Sequence, residues 1–136
     1  MKYVIIAMCF SGLLLGCAQM KYQKDLSSNE FREKTIHADA NAAYVGEWTA
    51  LTDVGVRSLK IKEDGRIKIC LSPSTGTEDG KVYINNGTPA FIIETGAKVE
   101  IISIDKDLLI VDVYGRQDKY YAGQVPEACA KVFKLF

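Results

Sequence analysis

The feature that most constrains this chain is a regular alternation of short apolar runs and turn residues from Tyr44 to Phe136. Runs rich in Val, Ile, Tyr and Phe are separated by Gly, Asn, Asp and Ser, a pattern typical of antiparallel all-β domains. We predict strands over 46–52, 56–62, 66–71, 81–85, 88–94, 97–104, 108–114, 118–122 and 131–135. No crossover helix fits between them, so consecutive strands should form hairpins. The sequence therefore predicts a small antiparallel up-and-down β-barrel of about eight strands over residues 45–136.

Residues that lie opposite each other in an antiparallel pair share a face, and this rule selects the turns. A three-residue loop over 63–65 places Ile61 opposite Ile67, with Gly65 in the left-handed region that glycine tolerates. This register leaves a basic ribbon on the outer face, formed by Lys60, Lys62, Arg66 and Lys68. A two-residue Asn86-Gly87 turn likewise brings two later strands into register. It places Val82 opposite Phe91 and Ile84 opposite Pro89.

The strands 97–104 and 108–114 form a third hairpin, with a predicted loop over 105–107. Its inward side chains would be Val99, Ile101, Leu109, Val111 and Val113. Its outer face would carry an apolar cluster, and such clusters usually mark something that covers them. The cluster comprises Ile102, Ile104, Leu108 and Ile110. We expect a helix over 28–43 or a partner protein as the cover; alternatively, the loop differs and this face belongs to the core.

The N-terminus begins with Lys2 and an apolar run from Tyr3 to Leu15, which is typical of a secretory signal. The run is shorter than the roughly 20 residues that span a bilayer. The motif Leu14-Leu15-Gly16-Cys17 resembles the lipobox of bacterial lipoproteins. This resemblance implies a signal peptide over 1–16 that is cleaved and a diacylglycerol on Cys17. The alternatives are an ordinary cleaved signal and an uncleaved apolar anchor.

The residues after the lipobox-like motif indicate which membrane holds the protein and what connects the lipid to the barrel. Ala18-Gln19 stands where an Asp would favour the inner membrane, so lipoprotein sorting rules imply the outer membrane of a Gram-negative cell. Residues 17–44 would then form the lipid anchor and tether. The spacing Ser27-Ser28-Asn29-Glu30 is that of a helix capping box. A short helix and a flexible spacer remain equally open for the tether.

Two cysteines, Cys70 and Cys129, would remain beside the lipidated one, because Cys9 leaves with the signal peptide. The periplasm is oxidising, so the pair is expected to form a disulfide from the third strand to the start of the last one. Cys70 shares its face with Lys68, so the bridge should lie outside the barrel core or at its rim. The chain has no C-x-x-C motif and His37 stands alone in the tether, so we predict no metal site.

Charge and residue inventory exclude some functions. Lys plus Arg and Asp plus Glu both number 17, and this balance argues against nucleic-acid binding. His37, the single histidine, is not placed to activate a Ser or Cys, and no Gly-rich phosphate loop is present. The sequence therefore predicts a protein that is not an enzyme and that uses no cofactor.

Two resemblances bear on function. Gly46-Glu47-Trp48 looks like the G-x-W start of lipocalin-like barrels, in which the Trp closes one barrel end. A buried Trp in any small β domain is an equal explanation, and strands this short predict an interior filled by side chains. Small secreted barrels with one disulfide also include periplasmic lysozyme inhibitors and metalloprotease inhibitors. The stretch 94–98 is similar to the Gly-Ala-Lys stretch of the lysozyme-inhibitor loop, which implies insertion into an enzyme cleft.

The candidate binding residues are Trp48, Tyr114, Arg116, Tyr120 and Tyr121, because Tyr and Arg are favoured at interfaces. The segment 73–80 is the longest predicted loop. We predict a lipid-anchored outer-membrane lipoprotein, facing the periplasm, that binds a protein partner without catalysis; inhibition of a hydrolase is one form of this. The alternatives are a lipocalin-like small-ligand binder and a structural envelope lipoprotein. An internal cavity of about 300 Å³ or more would favour the ligand binder.

Overall fold

A computed structural model describes residues 29–74 and 76–136. Eight antiparallel strands close into a barrel in which each strand pairs with the next and the last pairs with the first. The strands are β1 Gly46–Thr52, β2 Gly55–Ile61, β3 Arg66–Ser72, β4 Thr77–Asn85, β5 Thr88–Ile93, β6 Lys98–Ile104, β7 Leu108–Val113 and β8 Arg116–Ala122. This architecture confirms the predicted all-β up-and-down barrel.

The first two predicted hairpin registers are confirmed. Ile61 lies opposite Ile67, and the Lys62 N–H donates to the Arg66 carbonyl at 2.9 Å. Gly65 has a φ of 90°, in the region that favours glycine. In the second hairpin, Asn86 and Gly87 have φ angles of 51° and 83°, and the flanking pairs are those expected from the turn. Turn chemistry and residue parity were enough here because both act within one hairpin.

Gly65 also lies under the segment that precedes β1. An added Cβ would overlap the carbonyl oxygen of His37, whereas a Cβ on Gly87 would meet nothing within 4 Å. We therefore expect Gly65→Ala to lower the free energy of unfolding more than Gly87→Ala, whose cost is the left-handed conformation alone, about 1–2 kcal/mol. Urea titrations of both variants measure the difference. Equal losses would mean that the segment containing His37 moves aside without a loss of stability.

The third hairpin contains a β-bulge that the sequence pattern did not reveal. Ile101 pairs with Val111, but Ser103 then pairs with Ile110, so the register shifts across Ile102. The prediction that Ile104 lies outside is therefore wrong: Ile104 pairs with Leu109 and packs against the barrel core. The predicted inward side chains of this hairpin do face the core. The extra residue of a bulge inverts every later side chain on its strand.

Strand β4 starts at Thr77, so the prediction of a long loop over 73–80 is wrong. Residues 77–80 pair with β3, and Gly80 lies opposite Ile67. A Cβ on Gly80 would come within 3.2 Å of the Ile92 carbonyl oxygen and 3.3 Å of the Ile67 Cβ. The glycine permits this close approach within the sheet. Asp79 and Gly80, which the prediction placed in this loop, continue the strand.

The segment predicted as a strand over 131–135 is instead a helix, α1, spanning Glu127–Lys134. Pro126 precedes it, Glu127 lies in its first turn, and Lys131 lies in its last turn, all favourable for a helix. Cys129 and Phe133, four residues apart, form its buried face. Local apolar residues suggested a strand, but the Pro-Glu start was the stronger signal.

The structure contains the predicted disulfide between Cys70 and Cys129. It joins β3 to α1 rather than to a last strand, and both cysteines pack with Phe133 in a cluster separate from the barrel core. The basic ribbon meets the helix end: Lys60 Nζ donates to the Phe133 carbonyl at 3.2 Å, and Lys62 Nζ donates to the Phe136 carbonyl at 3.0 Å. These cations stabilise the negative end of the helix dipole.

One end of the barrel is closed by aromatic side chains and by the chain leading into β1. Trp48 is buried, and its indole N–H donates to the Tyr44 carbonyl at 2.8 Å. The Tyr44 ring packs edge-on against Phe91, with centroids 5.9 Å apart. The His37 N–H donates to the Val82 carbonyl at 2.8 Å, which ties the crossing segment to the sheet. A buried Trp48 at this end fits both the lipocalin-like resemblance and an ordinary core tryptophan of a small β domain.

A helical turn over 29–33 lies on the outside of the barrel. Phe31 packs against Tyr83, Ala90 and Ile92, on the outer face of β4 and β5. Glu30 forms an ion pair with Lys98 at 2.9 Å, which lowers the pKa of Glu30. The expectation that this segment covers the apolar face of β6 and β7 is therefore wrong, and Ile102 on that face is half exposed.

The predicted signal peptide 1–16 and Cys17 lie outside the described residues. Within residues 29–74 and 76–136, no helix has both the length and the apolar character that a membrane crossing requires.

Candidate functional site

The end of the barrel opposite Trp48 contains a cavity of about 220 Å³. The connections between β1 and β2, β3 and β4, β5 and β6, and β7 and β8 all lie at this end, because strands alternate in direction. We call it the open end. Inward side chains of seven strands line the cavity, and most are apolar. They include Leu59, Ile67, Ile69, Leu71, Phe91, Ile93, Val99, Val111 and Val113.

Polar groups lie on the inner wall near the mouth of the cavity. Arg57 shares the inward parity of Leu59, and its side chain is hydrogen-bonded to Tyr120. Arg116 also lines the cavity and pairs with Asp118 at 3.1 Å. Glu78 completes this set from β4. The open end therefore combines an apolar interior with charges of both signs.

Burial and the interaction between the two side chains determine the protonation states of Arg57 and Tyr120. Burial raises the pKa of Tyr120, and the hydrogen bond with Arg57 offsets part of that rise. Burial by itself would lower the pKa of Arg57, but the bond to Tyr120 and the nearby Asp118 and Glu78 outweigh it, so the pKa is raised. At neutral pH the mouth thus presents a neutral phenol beside a fixed cation.

The size of the cavity limits what can enter it. Pockets for drug-sized ligands occupy about 300–1,000 Å³, and this cavity of about 220 Å³ is smaller. Its volume suits one apolar side chain or the end of a narrow ligand. The cavity is therefore smaller than the volume that would have favoured a small-ligand binder.

Exposed apolar side chains surround the mouth on one side. Leu51 is 87% exposed and Val54 is 82% exposed, at the connection between β1 and β2. Tyr114 is 78% exposed, at the connection between β7 and β8. The first connection follows β1 and the second precedes β8, and these two strands are adjacent in the barrel. We call Leu51, Val54 and Tyr114 the apolar rim; a rim of this kind is suited to contact with a partner.

The structure separates the five predicted binding residues. Tyr114 belongs to the apolar rim and Arg116 to the cavity wall. Tyr120 points inward and is buried, whereas Tyr121 points outward and lies opposite Leu108, toward the closed end. Trp48 is buried at the closed end. The tyrosines do not form one patch, because successive side chains of β8 alternate between the two faces.

Sequence reasoning did not identify Arg57, Leu51 or Val54. Arg57 could have been found, because it has the same parity as Leu59 and Ile61 and is therefore a charged residue on an inward face. The exposure of Leu51 and Val54 could not have been found in this way. It depends on how β1 departs from β8, which is a long-range property of the barrel.

The stretch 94–98 forms a tight connection at the mouth rather than an extended loop. The Gly96 N–H donates to the Ile93 carbonyl at 2.7 Å, and Thr95 and Ala97 line the cavity. Lys98 is engaged with Glu30. Among residues 29–74 and 76–136, no three His, Cys, Asp or Glu side chains are grouped to hold a metal ion.

By fold and site, the molecule is an eight-stranded antiparallel barrel that is closed at one end by Trp48 and has an apolar cavity at the other. A similar solved structure is that of lipoprotein YedD from Klebsiella pneumoniae, with a TM-score of 0.61 and 12% sequence identity. The match covers 77% of this chain and 92% of that one. At this identity the likeness shows the fold alone. No protein-family model matches the sequence, and no curated protein matches it.

Proposed function

We propose that this chain is a lipid-anchored lipoprotein of the outer membrane whose barrel binds a protein partner in the periplasm without catalysis. The lipobox-like motif ending at Cys17 supports the anchor. The solved structure of similar fold carries the name lipoprotein, which is in keeping with it. The disulfide between two cysteines is typical of an oxidising compartment.

The observation that carries the binding role is the small apolar cavity flanked by the apolar rim. Burying one large apolar side chain contributes about 1.5–3 kcal/mol. A small ligand inside the cavity would leave Leu51, Val54 and Tyr114 in water. A protein surface that inserts one apolar side chain into the cavity would cover them as well. The arrangement therefore favours a protein partner over a small ligand.

Inhibition of a hydrolase is one specific form of this proposal. The connections at residues 94–97 and 114–115 are short and lie at the same end of the barrel. Short connections on a closed sheet need little ordering when they bind, which favours insertion into an enzyme cleft.

A lipocalin-like ligand binder is the second candidate, and the pair Arg57–Tyr120 is the observation in its favour. A cation on the inner wall could bind the anionic head of a ligand whose narrow apolar part enters the cavity. Native mass spectrometry of the protein released from its own membranes would detect such a ligand as a mass excess that denaturation removes.

Photo-crosslinking in the envelope tests the protein partner. With a photo-reactive phenylalanine analogue in place of Tyr114, we expect one discrete adduct larger than the protein, because the partner covers the apolar rim. The same analogue in place of Ile84 is the control, since Ile84 is also exposed but lies beside the turn at the closed end. Identical adducts at both positions, or none at Tyr114, would contradict the proposed binding face.

A further inference from the structure

The seam between β1 and β8 is paired only near the closed end. The register comprises Trp48 with Ala122 and Thr49 with Tyr121, whereas β1 pairs with β2 along its whole length from Gly46 to Thr52. Beyond Thr49 the two strands diverge toward the mouth. They leave a slot in the barrel wall, lined by Ala50, Leu51, Val56, Gln117, Lys119 and Tyr121.

The backbone groups that face this slot follow from the hydrogen bonds at its base. The Gly123 N–H donates to the Glu47 carbonyl at 2.8 Å, so the polar groups of Glu47 point toward β8. Backbone direction alternates along a strand, so those of Leu51 also point toward β8 and away from β2. The next rung of the ladder would join Leu51 to Lys119, and it is not formed. Leu51 therefore lies outside the paired register of β1 and β8, with its N–H and C=O facing the slot.

Apolar side chains lie on the β1 and β2 side of the slot, whereas Gln117 and Lys119 line the β8 side. Leu51 lies opposite Val56 on the outer face of the sheet and is almost fully exposed. Tyr121 is half exposed on the other side of the slot. An unpaired strand edge with exposed apolar side chains is the arrangement that an added strand recognises.

We propose that the slot between β1 and β8 accepts an extended segment of the partner protein, which pairs its backbone with the Leu51 edge of β1. The segment would place alternate apolar side chains against Leu51, Val56 and Tyr121. This inference rests on the proposed protein partner and specifies its chemistry: an extended strand with apolar residues at every second position. The slot adjoins the cavity through Tyr120, which lines both, so one segment can reach the slot and the mouth.

Leu51→Pro tests the slot separately from the mouth. Proline removes the N–H that faces the slot and leaves the ladder between β1 and β2 intact. In the chain that carries the photo-reactive analogue at position 114, we expect Leu51→Pro to lower the adduct yield about tenfold. Leu51→Ala keeps the N–H and removes only side-chain contact, so its loss should be smaller. Circular dichroism and the urea midpoint verify that both variants fold.

The possible outcomes separate the two proposals. An adduct that forms equally well with Leu51→Pro overturns the slot and leaves the binding face standing. An adduct that consists of two copies of this chain overturns the proposal that the slot accepts a segment of a different protein. If the parent chain forms no adduct at all, both proposals are overturned. If Leu51→Pro does not fold, hydrogen exchange on the crosslinked complex of the chain with the analogue at position 114 decides. Slower exchange of the Leu51 amide than in the same chain before crosslinking supports the slot, and an unchanged rate overturns it.

Discussion

Replacing both bridged cysteines, as Cys70→Ala with Cys129→Ala, is expected to lower the free energy of unfolding by about 4 kcal/mol. The bridge joins residues that are 59 positions apart, so its loss frees a long loop in the unfolded chain. In the folded chain it attaches α1 to β3, where Phe133 and the two buried cysteines form a small cluster of their own. Equilibrium unfolding in urea, followed by tryptophan fluorescence, measures the change.

A control in the same helix distinguishes the bridge from general damage to α1. Lys131 is exposed, and its ion pair with Glu127 is long, at 3.8 Å. Lys131→Ala should change stability by no more than about 0.5 kcal/mol. The expectation for the bridge fails if the double alanine variant loses less than about 1 kcal/mol. It also fails if thiol titration of the unreduced protein finds Cys70 and Cys129 free.

Cys17→Ala is expected to move nearly all of the protein out of the membrane fraction. In the proposed lipoprotein, acyl chains on the Cys17 sulfur hold the chain to the bilayer, and each buried CH₂ contributes about 0.8 kcal/mol. Without the thiol, no diacylglycerol can be attached. Fractionation of the envelope and incorporation of labelled palmitate measure the loss.

Cys9→Ala is the matched control, because Cys9 lies inside the predicted signal peptide and would be absent from the processed protein. Its fractionation and its palmitate labelling should equal those of the wild type. Wild-type protein that takes up no palmitate, or a Cys17→Ala variant that stays in the membrane fraction, would contradict the lipid anchor. Neither result would bear on the slot or the mouth, because those lie in the barrel.

The hairpins show why part of the fold was predictable. At Gly65 and at Asn86-Gly87, the turn residues and the parity of a few neighbours determine the register, and all of the relevant residues are close in sequence. The placement of Cys70 outside the core follows from the same parity. The bulge at Ile102 was missed, because nothing in its immediate sequence marks one residue as extra.

The C-terminal segment shows the opposite case. Val132 and Phe133 are compatible with a strand, and the prediction took them as one. The barrel closes through β8 and β1 without this segment, which packs on the outside. Its Pro126-Glu127 start favours a helix, and the helix brings Cys129 and Phe133 together against Cys70. The carbonyls at its end also meet Lys60 and Lys62, which the parity of β2 had already placed outside.

By itself, the sequence determined the strand pattern, the first two turns, the inward and outward faces of most strands and the pairing of Cys70 with Cys129. These depend on periodicity, on turn chemistry and on a small number of cysteines. The tertiary structure alone decided that one end is closed by Trp48 and Tyr44, that the other keeps a cavity beside Arg57, and that β1 departs from β8 beyond Thr49. Those features depend on how eight strands close around one core, and closure is set by contacts between residues far apart in the chain.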